Sequence, residues 1–155
     1  MKKYNVNCTV NGIKRSFDTR AGDTLLEAMR GTLGIKSPKL GCDWGDCGAC
    51  TVIMDGRTVR ACLVLAVEAD GAELTTLEGI TQSGPTKLQS ELVKRNAFQC
   101  GFCAPGMILS AEEVLKNHPH ASREEIAHAL AGNLCRCTGY EPVLDAIEAV
   151  AKGGK

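Results

Sequence analysis

The chain has 155 residues, and its 18 Lys and Arg balance its 18 Asp and Glu to a formal net charge of zero; this is about the length of one ordinary domain, with no basic face for nucleic acid or an anionic membrane. No apolar run approaches the roughly 20 residues of a membrane span, and the start shows neither an apolar signal stretch nor a twin-arginine pair, so a cytoplasmic chain is expected. Nine cysteines stand against three Phe, two Tyr and one Trp, so the core is modest, and in a reducing compartment metal is a better staple than disulfides, which an odd count cannot complete anyway.

Residues 3–18 read as a hairpin, with Tyr4, Val6, Cys8 and Val10 alternating before the Asn11-Gly12 turn and Ile13 to Phe17 returning. Thr24 with Glu27 fits a capping box, opening a helix with Leu25, Leu26, Met29 and Leu33 on its apolar face and Gly34 at its end. Gly41 to Cys50 has no periodicity and reads as a loop. Short strands follow on either side of Asp55-Gly56, and another is expected from Glu73 to Leu77. From Thr81 to Pro85 the chain turns polar, as a linker does.

Four helical patterns come after it. The first is marked by Leu88, Leu92 and Val93, and the second by Met107, Ile108, Ala111 and Leu115 with Pro105 near its start. The third opens on the capping box Ser122 to Glu125, presents Ile126 and Leu130, and stops at Gly132. The last starts near Pro142. The expected class is α+β: a β-rich domain over 1–80 and a helical domain over 85–155.

The cysteines divide along the same line. Cys42, Cys47, Cys50 and Cys62 follow C-x4-C-x2-C-x11-C, and the opening of that pattern matches the plant-type ferredoxin arrangement for a [2Fe–2S] cluster. Zinc prefers paired short knuckles, and only one short pair occurs here. Cys100, Cys103, Cys135 and Cys137 follow C-x2-C-x31-C-x-C, two short pairs at the ends of helices; this spacing alone leaves cluster and zinc both open. Cys8 lies on the first strand with both quartets complete and reads as a small hydrophobe. His118, His120 and His128 read as solvated surface. Asp43 and Asp46 read as caps or partner contacts in a cluster loop. No phosphate loop, dinucleotide fingerprint or nucleophile motif is present, so the chain reads as a conductor of electrons rather than a site of bond chemistry.

Three segments carry a resemblance: Gly41-Cys42-Asp43-Trp44-Gly45-Asp46-Cys47-Gly48-Ala49-Cys50 with Cys62, then Gln99 to Met107, then Gly132 to Tyr140. Together they resemble the small iron–sulfur subunit of the molybdenum hydroxylases, the family of xanthine dehydrogenase, aldehyde oxidoreductase and carbon monoxide dehydrogenase. The resemblance implies a plant-ferredoxin-like β-grasp domain and a four-helix domain, each holding one [2Fe–2S] cluster. It implies a large subunit carrying molybdopterin, commonly as the cytosine dinucleotide, a medium subunit carrying FAD, and a dimer of heterotrimers. Electrons would pass from molybdenum through the helical-domain cluster and the ferredoxin-like cluster to FAD. By the same resemblance, Gln99 and Cys137 lie against the pterin. Ala104 departs from the family, where Thr is common and would cap the following helix. A free-standing two-cluster ferredoxin and a structural zinc module are the alternative readings.

Overall fold

The computed structural model describes residues 2–153. The alternation at the start becomes strand β1 (Lys3–Val10), which turns at Asn11-Gly12 into β2 (Ile13–Arg20) in unbroken antiparallel register from Lys3↔Arg20 to Val10↔Ile13. Both turn residues have positive φ, +52° and +78°, as the two-residue hairpin turn demands. Val6, Cys8, Val10, Phe17 and Thr19 are the buried members of this pair. The second hairpin joins β3 (Thr51–Met54) to β4 (Arg57–Arg60) through Asp55-Gly56. A short central strand, β5 (Glu73–Thr75), unites the hairpins: it runs parallel to β1 and antiparallel to β3, giving the sheet order β2-β1-β5-β3-β4.

Two expectations for this half need correction. The strand over 73–77 ends at Thr75, because the Thr76 N–H donates to the Asn11 side chain at 2.8 Å instead of continuing the ladder; a short helix, α2 (Leu77–Ile80), follows. The helix after Thr24 is not regular either. Its capping box forms as expected, but α1 (Leu25–Glu27) passes at once into a wider π turn, Ala28–Thr32, in which the Leu33 N–H reaches back five residues to the Ala28 carbonyl. Gly31 adds little to hold the normal winding, and the wide turn still buries Leu25, Leu26, Ala28 and Met29 against the sheet.

The four later helices occur where the patterns place them: α3 (Lys87–Lys94), α4 (Ala104–Asn117), α5 (Arg123–Leu130) and α6 (Glu141–Ala151). Val93 is a further correction. Leu88 and Leu92 are buried, but Val93 is 77 % exposed, since one step along a helix turns the side chain by about 100°. Ala104 is the first helical residue and Cys103 the capping position, so a Thr at 104 would not occupy the cap.

Two apolar cores result. One gathers β1, β2, α1 and the second hairpin around Met29, Val52 and Leu74; the other gathers the helices around Met107, Ile126 and Ile147, with Leu77 and Ile80 of α2 packed against it. The two halves meet where α4 lies on β3 and β4. Among the described residues, no helix is long and apolar enough to cross a membrane.

Candidate metal centres

The x11 gap between Cys50 and Cys62 has a mechanical origin. Cys50 immediately precedes β3 and Cys62 follows β4, so a hairpin with a two-residue turn returns the second thiol to the first. The Ala61 N–H donates to the Cys50 carbonyl at 3.3 Å, and the two Sγ atoms lie 3.3 Å apart, both buried. Burial pushes the Cys50 thiol up to about 11. The other two thiols of this quartet sit on the loop before it, half-buried. Asp43, Gly45 and Gly48 all have positive φ, which winds the loop back on itself. The backbone N–H groups of Cys47 and Trp44 both point at Cys42 Sγ, each at 3.4 Å. Those donors, Cys47 first, hold the Cys42 thiol down at about 7. N–H groups aimed at sulfur are what an anionic thiolate cluster needs.

The second quartet is assembled from two loops at one end of the α4–α5 pair. Cys103 caps α4, and Gly101, with φ +75°, turns the chain so that Cys100 reaches the same place. Cys135 and Cys137 arrive on the loop after α5. Cys100 and Cys137 Sγ are 3.7 Å apart and exposed, while Cys103 is buried and Cys135 half-buried. Desolvation, reinforced by Cys135, pushes Cys103 up to about 12.

Two residues that the sequence reading quoted without a role support this loop. The Thr138 hydroxyl donates to Cys135 Sγ at 3.2 Å, and the Cys135 N–H donates to the Tyr140 hydroxyl at 2.9 Å. Tyr140 has φ +70°, a strained value for a bulky residue, held by the Thr138 contact at its own N–H. No periodicity marks either role.

Both quartets therefore have a similar form: a more buried pair, Cys50 with Cys62 or Cys103 with half-buried Cys135, and a more exposed pair. A [2Fe–2S] unit places two thiolates on each of two irons, which suits two pairs. A single zinc ion wants four donors converging on one point instead. The donor chemistry fits the cluster.

The remaining candidates are divided between core and surface. Cys8 is 6 % exposed in the first core, and His118, His120 and His128 are exposed. Gln99 is exposed beside the second quartet, and its Nε2 donates to the Cys137 carbonyl at 2.9 Å. Asp43 and Asp46 are exposed on the first loop.

Two family models match in series: a 2Fe–2S iron-sulfur cluster binding domain over residues 8–78, and a [2Fe–2S] binding domain over residues 76–148. The chain is 46 % identical over 141 residues to the nicotinate dehydrogenase small FeS subunit of Eubacterium barkeri, covering 90 % of each. It is 41 % identical over 145 residues to the nicotine 6-hydroxylase small subunit of Paenarthrobacter nicotinovorans, covering 94 % of this chain and 88 % of that one. Among solved structures it superposes on a chain of quinoline 2-oxidoreductase from Pseudomonas putida 86 with a TM-score of 0.94 and 40 % identity, covering 99 % of this chain and 97 % of that one. Fold, paired thiols and relatives agree: the chain belongs to the family of small iron–sulfur subunits of the molybdenum hydroxylases, an electron-transfer component of an oxidoreductase.

Proposed function

We propose that Cys42, Cys47, Cys50 and Cys62 hold one [2Fe–2S] cluster within a domain spanning 1–80, and that Cys100, Cys103, Cys135 and Cys137 hold a second within a domain spanning 85–155. The observation that carries this is the grouping of each quartet into two thiol pairs, with Sγ separations of 3.3 Å at Cys50–Cys62 and 3.7 Å at Cys100–Cys137. Bound there, each cluster supplies a one-electron Fe(III)/Fe(II) couple. The chain's own part is to present thiolates, aim N–H donors at sulfur, and keep water from the buried thiols Cys50, Cys62 and Cys103.

For the rest of the assembly we propose the arrangement that the family resemblance implies, supported by relatives that are named as small subunits. A large subunit carries molybdopterin, in its cytosine dinucleotide form, a medium subunit carries FAD, and the complex is a cytoplasmic dimer of heterotrimers. Subunit relatives favour such fixed partners over the free-standing ferredoxin. Exposed Cys137 and Gln99 form the outward edge of the second quartet, which suits contact with the pterin there. The bond from Gln99 Nε2 to Cys137 leaves its Oε1 as an acceptor for a pterin N–H.

Metal and sulfide analysis with EPR of the reduced full chain tests the ligand sets. Two distinguishable [2Fe–2S] signals with matching iron are expected; one cluster per chain, or zinc alone, refutes the assignment.

A further inference from the structure

The halves meet across a polar seam. Asn133, on the loop after α5, is 1 % exposed. Its Oδ1 accepts from the Ser110 hydroxyl at 2.8 Å, and its Nδ2 donates to the Gly48 carbonyl at 3.1 Å and to Thr51 Oγ1 at 3.3 Å. Arg60, half-buried at the end of β4, donates from Nη1 to Thr51 Oγ1 and from Nη2 to the Gly132 carbonyl, each at 2.7 Å. The Thr51 hydroxyl in turn donates a hydrogen bond to the Gly48 carbonyl at 2.7 Å. Donors and acceptors thus run in one consistent set of directions through both halves.

Glycine permits the approach. A Cβ at Gly106 would meet the Gly48 carbonyl, and one at Gly132 would meet the Arg60 guanidinium. Beside this seam, the Leu134 N–H donates to the Cys47 carbonyl at 2.9 Å. Cys47 belongs to the first quartet, and Leu134 directly precedes Cys135 of the second. Covalent bonds and one hydrogen bond therefore join the two thiol sets.

We propose that Arg60 and Asn133 are positioning residues for electron exchange between the two clusters: they hold the Cys47 carbonyl on the Leu134 N–H and keep this bonded route closed. The proposal rests on the ligand assignment above. Each exchange moves one electron, an Fe(II) at one site becoming Fe(III) as an Fe(III) at the other becomes Fe(II), with no proton or co-reactant. An apolar seam tolerates small slides, whereas a buried, fully paired polar network permits one register, because any shift leaves desolvated donors unpaired. Asn133 has no exposed edge to offer a partner, which separates its role from that of Gln99.

The test uses the full chain with its clusters, as Arg60→Met and Asn133→Asp. Iron content and two EPR signals should be retained. Exchange of the Leu134 amide should be faster by about tenfold or more, the factor that the loss of one buried hydrogen bond corresponds to. Spin–spin broadening between the reduced clusters should change, and electron equilibration after a reducing flash should slow. Both clusters present with all three readouts unmoved would overturn the proposal alone. A wild-type chain holding one cluster would overturn the ligand assignment and the proposal with it. If Asn133→Asp fails to accumulate, Arg60→Met at the half-buried edge of the seam decides.

Discussion

Gly48→Ala and Gly12→Ala impose the same backbone penalty in different surroundings. Both glycines have positive φ, +69° and +78°. An alanine held in that region costs about 1–2 kcal/mol. At Gly12 nothing lies within 4 Å of the added Cβ, so that strain is the whole expected effect. At Gly48 the Cβ would meet the Gly132 carbonyl and both the Nδ2 and Cα atoms of Asn133. Two of these are backbone and cannot rotate away, so the loop must retreat. Retreat breaks the Asn133 bond to the Gly48 carbonyl and leaves buried polar atoms unpaired, adding about 1–3 kcal/mol. The expected loss is therefore about 2–5 kcal/mol for Gly48→Ala against about 1–2 for Gly12→Ala. Urea titrations of the cluster-loaded chain, followed by far-UV circular dichroism and by visible absorption, read both; coincident transitions are needed before free energies are compared. Equal midpoints for the two variants, at equal m-values, would refute the close approach at Gly48.

Cys50→Ser should remove the EPR signal of the first cluster and spare the second, and Cys103→Ser the reverse, with local unfolding at each lost site; loss of both signals from either change would mean that the quartets are not independent. Gln99→Ala should keep both clusters, since no thiol is lost, yet weaken molybdenum retention by about tenfold or slow substrate-driven reduction; full occupancy and wild-type reduction would remove Gln99 from the cofactor contact. Glu78 accepts from the backbone N–H groups of Lys36 and Ser37 at 3.2 and 2.9 Å and from the Thr76 hydroxyl at 2.6 Å. Burial raises this carboxyl, but the hydrogen bonds led by Ser37 outweigh it and leave it below its ordinary 4.5. A lowered folded value means stability that is present above the unfolded value and lost as pH falls through the folded one. Glu78→Gln should flatten the acid limb of thermal stability below pH 4.5, and an unchanged slope there would refute the assignment.

Local chemistry made much of this protein legible from its residues alone. Asn11-Gly12 and Asp55-Gly56 announced their hairpins because a two-residue turn needs positive φ. Thr24 with Glu27, and Ser122 with Glu125, announced helix starts because each pair satisfies its own backbone donors. The short spacings within 42–50, 100–103 and 135–137 showed in the sequence because each belongs to one loop, and the x11 gap is the length of the hairpin between Cys50 and Cys62. What escaped was set by neighbours distant in sequence. The strand over 73–77 stops at Thr75 because Asn11, across the sheet, takes the Thr76 N–H. Val93 faces outward because the packing of α3 selects Leu88 and Leu92. Asn133 and Arg60 carry no periodicity: each matters only for the group it meets, and their meetings across the seam exist once the helical half is seated on the sheet, whereas Thr138 and Tyr140 act on Cys135 inside their own loop and no pattern marks them. Hairpin turns, caps and ligand loops are decided within a dozen residues, but the seam that sets one thiol quartet against the other is decided by the approach of chain segments more than 80 residues apart.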